Sequence, residues 1–363
     1  MQRRAQSRCA GFSLVEIMVG MVIGMLGIIV MMQVFALAET QKRATTGGGD
    51  AQSNGAIALY GIQRDIREAG YGLSDVNLAG CNLQLRAGVT LPAIAPLTIN
   101  PRKSDGVTPL IPLGDANTDT LLVLYGNANA APQGDPISAQ PLVAPPYSYP
   151  NVYSVTSPQS FNTGDQVIAY PPPTLCNLTL TSVLGNDLSA NVFVATGVPL
   201  AQPSTSRLYN LGPAPRIWAY AIRNASLTFC DYMVNDCSIA ANAGNAAIWV
   251  PIASNIVSMR AQYGKDGNTP MDGMVNTYNQ TTPTAACDWM KVLAVDIVLV
   301  ARNGNFEKDI VTAAAPTWAG TSETPPIGID LSANSNWQYY RYKTFETVIP
   351  MRNVFWLGLV PGC

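Results

Sequence analysis

The chain has 363 residues, 48% of them apolar and only 12% charged, with 30 Gly, 27 Pro and a formal net charge of −2. That apolar share excludes wholesale disorder, and the charge is too small and of the wrong sign for a nucleic-acid surface. Histidine is absent, which excludes Ser-His-Asp and Cys-His nucleophiles, His-containing zinc sites and imidazole proton shuttles.

Arg3, Arg4 and Arg8 make residues 1–11 basic, with no acid among them. After Gly11-Phe12-Ser13-Leu14-Val15-Glu16 come 22 uncharged residues, Ile17 to Ala38, with Gln33 the only polar side chain. A helix of that length rises about 33 Å, enough to cross a bilayer core. Arginines before the span and Glu39 after it place the N-terminus in the cytoplasm and export the rest. A plain anchor needs no more than this. A secretory signal peptide is a second reading, because Ala36-Leu37-Ala38 has the A-x-A form of a cleavage site; against it, the apolar run is long and contains Glu16 at its start. Within the span, Gly20 and Gly24 fit the small-xxx-small pattern of close helix packing.

Residues 39–70 continue the helix. Thr45-Thr46-Gly47-Gly48-Gly49-Asp50 is a poor helical stretch, so a break is expected near 45–50, with Asp50 or Ser53 as a new N-cap. Leu59, Ile62, Ile66 and Ala69 then share a face, Arg64, Asp65, Arg67 and Glu68 supply polar positions, and Gly70 is a stop signal. Beyond it, β-prone runs fall at 121–125, 166–170, 192–196, 217–222, 226–230, 256–263, 293–300 and 339–349. Pro-rich connections such as Ala144-Pro145-Pro146-Tyr147 and Tyr170-Pro171-Pro172-Pro173 separate them. The expected fold class is α+β: a long N-terminal helix packed on an antiparallel, β-rich domain over 71–363, with large insertions concentrated in the Pro-rich 90–215 stretch.

Seven cysteines stand at Cys9, Cys81, Cys176, Cys230, Cys237, Cys287 and Cys363. The six in the exported part suit an oxidising compartment and up to three disulfides. Cys230–Cys237 is the preferred pair, because six intervening residues suit a strand-turn-strand hairpin. The pairing of Cys81, Cys176, Cys287 and Cys363 stays open. No phosphate loop, nucleophile elbow or zinc-protease motif occurs, and no carboxylate pair stands out among the acids. Asp266, Asn268 and Asp272 form a weak calcium candidate, lacking the closing Glu of an EF-hand and equally readable as turn chemistry. No other cofactor is implied. Tyr339-Tyr340-Arg341-Tyr342 reads as part of a half-buried strand.

Gly11-Phe12-Ser13-Leu14-Val15-Glu16 resembles the processing signal of type IV prepilins and pseudopilins. The resemblance implies a leader over 1–11, cleavage by a prepilin peptidase between Gly11 and Phe12, methylation of Phe12, and an assembly helix over 12–70. It also implies that Glu16 pairs with the terminal amine of a neighbouring subunit. Further along, Arg64-Asp65-Ile66-Arg67-Glu68-Ala69-Gly70-Tyr71, Gly164-Asp165-Gln166-Val167-Ile168, Gln262-Tyr263-Gly264-Lys265-Asp266-Gly267, Asp288-Trp289, Phe345 and Arg352-Asn353 are similar to landmarks of PilW-like minor pilins. Asp296 departs from that pattern, where a basic residue is expected. The resemblance implies a non-enzymatic protein of the bacterial inner membrane, with its head in the periplasm and then at a pilus tip. Its implied partners are other minor pilins, the major pilin and a tip adhesin, in a complex that primes pilus assembly. The same N-terminal signal serves minor pseudopilins of type II secretion. A surface adhesin or DNA-uptake pilin, disfavoured by a net charge of −5 once the leader is gone, and a secreted hydrolase are the remaining classes.

Overall fold

The computed structural model describes residues 11–128, 130–141, 151–171, 176–200 and 202–353. The leader before Gly11, Cys9, Cys363, the connection at 144–147 and Pro172-Pro173 lie outside them. The chain divides into two compact units, Met1–Asp50 and Ala51–Cys363.

Helix α1 runs Leu14–Glu68 without interruption, so the break expected near 45–50 does not occur and neither Asp50 nor Ser53 is an N-cap. Three glycines cost about 3 kcal/mol of propensity, whereas starting a second helix repeats the unfavourable nucleation step. The flank is also reinforced: Arg43 pairs with Glu39 one turn earlier at 3.2 Å, and the Thr45 hydroxyl donates to the Gln41 carbonyl at 2.8 Å.

The second unit is built from β1 (Asn82–Arg86), β2 (Val89–Leu91), β3 (Leu97–Ile99), β4 (Leu121–Tyr125), β5 (Asp135–Ala139), β6 (Asn151–Val155), β7 (Gln166–Tyr170), β8 (Asn177–Asn186) and β9 (Asn191–Val194). Then follow β10 (Arg207–Gly212), β11 (Arg216–Arg223), β12 (Ser226–Asp231), β13 (Val250–Ser254), β14 (Ile256–Lys265), β15 (Thr277–Asn279), the short α2 (Ala286–Met290), β16 (Val292–Arg302) and β17 (Tyr342–Pro350).

These strands form three sheets: β13-β12-β11-β4-β3, β15-β14-β16-β17, and the eight-stranded β2-β1-β8-β7-β10-β5-β6-β9. In the last, β9 also pairs with β8, closing six strands into a small barrel. Pairings are antiparallel except β1 with β8, which run parallel. β4 and β11 are hydrogen-bonded neighbours, so the residues between them are an insertion that supplies all six barrel strands. The barrel fills its own interior with Tyr153, Phe161, Val167, Val183, Val192 and Leu208.

The C-terminal part of α1 is the centre of packing. Ala58, Ile62, Ile66 and Ala69 are buried against Leu121, Val123 and Ile222 of the five-stranded sheet and Val295, Ile297 and Leu299 of the four-stranded one. The far face of the five-stranded sheet, through Leu122, Leu124 and Ile217, meets Leu83, Leu180, Tyr209 and Leu211 of the eight-stranded sheet. Each sheet therefore has an apolar face to bury, which is why strands such as Leu121-Leu122-Val123-Leu124 read as continuous apolar runs rather than alternating ones. Disulfides join Cys81 to Cys176 and Cys230 to Cys237, and Cys287 is disulfide-bonded as well. Cys81–Cys176 spans 95 residues and ties the entry of β1 to that of β8; closing so long a loop is worth about 4–5 kcal/mol in the chain-entropy picture.

Ile62 is fully buried at the meeting of helix and both sheets. Ile62→Ala is expected to lower the unfolding free energy of the second unit by about 2–5 kcal/mol, with an unchanged denaturant slope, in urea unfolding followed by tryptophan fluorescence. A loss below about 1 kcal/mol would contradict this packing scheme.

Candidate functional site

The site to be explained is α1 itself. It starts after Ser13, whose carbonyl accepts from the N–H groups of Glu16 and Ile17 at 3.0 and 3.2 Å. The Glu16 carboxylate turns back and accepts the Ser13 N–H at 3.3 Å, the carboxylate half of a capping box. A negative charge here also complements the positive end of the helix dipole. From Leu14 to Leu37 the large apolar side chains are exposed, Phe12 most of all at 82%. The helix is long and apolar enough to cross a membrane. A Cβ at Gly20 or Gly24 would meet nothing within 4 Å, so both glycines leave backbone open to a neighbouring helix. Gly11, Phe12, Glu16, Gly20 and Gly24 thus share one exposed segment.

The other end of α1 is fixed by polar contacts that the periodicity does not reveal. Asp65, expected among the solvent-facing positions, is instead buried, 2% exposed. It lies on the same inward stripe as Ala58, Ile62, Ile66 and Ala69. Its two oxygens accept hydrogen bonds from the hydroxyls of Tyr220 at 2.5 Å and Tyr125 at 3.0 Å, and Arg64 pairs with it at 3.2 Å. Burial, and then the charge of Asp65, push both tyrosine hydroxyls well above their ordinary pKa, so they remain donors at any physiological pH. At the helix end, Gly70 adopts a positive φ of 83°, the left-handed stop that glycine permits. The Asn353 amide donates to the carbonyls of Arg67, Glu68 and Ala69 at 3.2–3.4 Å, and the Tyr71 N–H also donates to that of Glu68 at 3.1 Å. Two stretches far apart in sequence, Arg64–Tyr71 and Arg352–Asn353, therefore meet at one helix terminus. The signal for Asp65 was its position one residue before Ile66 on the apolar face; Asn353 had no local signal.

Comparison with known families fits these two ends of the helix. A family described as Prokaryotic N-terminal methylation motif matches residues 6–32. One described as Type IV Pilus-assembly protein W matches residues 220–353, from the Tyr220 that holds Asp65 to the Asn353 that caps α1. The two matches support a PilW-like type IV pilin. Neither a curated protein nor a solved structure matches it. Membrane association through α1, and a role as a component of the pilus apparatus, follow from the family matches.

The remaining sequence-flagged residues of this pilin serve other ends. Asp266 is fully buried, and its carboxylate accepts the N–H groups of Asn268, Asp272 and Gly273 at 2.8–2.9 Å. Burial raises its pKa, but those backbone donors outweigh it and leave the group below the ordinary carboxylate range. Asn268 bonds to Asp272 at 2.7 Å, so the loop satisfies itself as a turn. Among the described residues no group of three or more His, Cys, Asp or Glu is arranged to hold a metal. Tyr339 and Tyr340 precede β17 rather than forming part of it, and pack on Phe306 with ring centroids 5.2 and 5.7 Å away.

Asp296, the departure from the family pattern, faces Gln262 and Val348 across β16. It is 3% exposed, and Oδ1 has no hydrogen-bond partner. Burial, then the charges of Glu346 and Glu323, raise its pKa to about 6. An unfolded Asp titrates near 3.9, so between the two values only the folded chain holds the proton. Stability from this group is present below about pH 4 and is lost as pH rises through 6. Asp296→Asn is expected to match the parent in urea midpoint at pH 4 and to exceed it increasingly from pH 5 to 7. A constant gap across that range would contradict the assignment.

Proposed function

We propose that this chain is a minor pilin of a type IV pilus that takes part in the tip or initiation complex and works by assembly rather than catalysis. The carrying observation is the union, in one helix, of an exposed apolar segment bearing the methylation motif with an anchored segment locked into the PilW region. In this reading a prepilin peptidase cleaves between Gly11 and Phe12 and methylates Phe12. The precursor waits in the inner membrane with its head in the periplasm. Its partners are other minor pilins, the major pilin and a tip adhesin.

A carboxylate within a membrane-spanning helix costs about 2.5–3.5 kcal/mol unless paired. Glu16 sits one turn from the new terminus, and the terminal amine of a neighbouring subunit supplies the countercharge on assembly. Gly20 and Gly24 admit a second helix closely enough for that pairing. The size of the β-rich head supports a tip position, since a large head repeated along a narrow shaft is harder to accommodate than one copy at its end.

Glu16→Ala is expected to leave leader cleavage intact and to reduce incorporation of the chain into sheared surface pili by at least tenfold, read by immunoblot. Normal incorporation would overturn the pairing role. Deletion of the chain separates the two systems that share its N-terminal signal. Loss of surface pili with normal enzyme secretion supports the pilus, and the reverse outcome assigns the chain to type II secretion.

A further inference from the structure

An unpaired sheet edge is a template for another strand unless it is blunted. The sheet ends of this molecule are treated unequally. β2, β3 and β15 are three residues long. β9 closes back onto β8. β13 carries Pro251 and a register shift against β12. β17 has none of these defences before its last residue. It ends the four-stranded sheet, runs nine residues, and pairs with β16 in nine consecutive positions without a bulge. Its only proline is Pro350, at the end. Its two charges are already engaged on opposite faces: Lys343 Nζ donates to Gln52 at 2.9 Å, and Glu346 Oε1 accepts the Ala319 N–H at 3.0 Å. Among the described residues no backbone hydrogen bond reaches the side of β17 turned away from β16. Most of its residues are exposed, Val348 at 48%.

We propose that the free edge of β17 is a docking edge for an extended strand of a different pilin subunit, which joins the four-stranded sheet as its fifth strand. The inference rests on the assembly reading above and names the surface through which the head takes part in it. The edge chemistry, alternating free N–H and carbonyl groups over nine residues, selects an extended strand rather than a helix. The occupant is a pilin because β17 is bound to the helix by which subunits associate. Lys343 reaches Gln52, and a Cβ at Gly55 would overlap the Phe345 ring. A strand added here therefore lies beside α1. The occupant is not a second copy paired β17 to β17, because that contact closes on itself about a two-fold axis, while a growing filament needs contacts that do not close.

The test is amide hydrogen exchange by mass spectrometry on the full chain, purified alone in detergent and in detergent-extracted complexes with its co-expressed fellow pilins. Peptides covering 342–350 are expected to slow at least tenfold in the complex, and Thr344→Lys, which places a charge on the exposed strand, to reduce that slowing while the fold is retained. Co-purification with pilins but unchanged exchange in β17 would overturn the docking edge and leave the assembly reading standing. Failure of any pilin to co-purify would overturn both. Concentration-dependent slowing of β17 in the chain alone would assign the edge to a second copy and overturn the choice of partner.

Discussion

One helix has to be dry in two different ways, and the rest of the molecule follows from that. From Ile17 to Leu37 its large apolar side chains stand exposed, a surface that water does not tolerate and that lipid or neighbouring helices must cover. From Ala58 to Ala69 the same helix is wrapped by two sheets of its own chain. The first requirement makes the protein an associating one. The second seats the C-terminal part of α1 in the core of the β-rich unit.

The anchored end shows how buried acids behave when partnered and when not. Asp65 receives two tyrosine hydroxyls and an arginine, and Asp119 receives the Ala261 N–H, Gln280, Asn100 and Arg260. Both are networks in which each oxygen has donors, so each fixes one element against another: α1 on β4 and β11, and the β3–β4 connection on β14. Asp296 lacks such donors on Oδ1 and faces two further acids. The position sits beneath the segment carrying Trp318, Ile327 and Leu331, which covers the outer face of β16, so any loosening there acts on that cover and not on the seat of α1.

The sequence showed the helix, its membrane-length apolar half and eight strand cores because those signals are local. Leu121–Tyr125 and Gln166–Tyr170 coincide with β4 and β7, since an apolar run or an alternation bounded by turn residues specifies a strand by itself. The other strands were illegible for physical reasons. β6 lies beside a Pro-rich connection, and β8 begins with Leu178 and Leu180 alternating with threonines but ends in Gly185-Asn186, a composition that reads as loop. β6 pairs with β9, a contact distant in sequence, whereas β8 forms hairpins with β7 and β9 that its composition hides. The glycine run was misread because propensity is a per-residue quantity whereas helix continuity is cooperative. Asp65 was misread because a charged residue on an apolar stripe is ordinarily assigned to solvent, and its tyrosine partners lie 60 and 155 residues away. The exposed N-terminal segment was the most legible part of the candidate site, because its chemistry is contiguous.

In the proposed function the exposed half of α1 is retained as an assembly helix after processing at Gly11. The intact mass of the mature chain extracted from membranes, read for its N-terminus, tests it most directly. A chain beginning at Phe12 and carrying one added methyl group is expected. A chain beginning at Glu39, after Ala36-Leu37-Ala38, would have lost the helix and would contradict it.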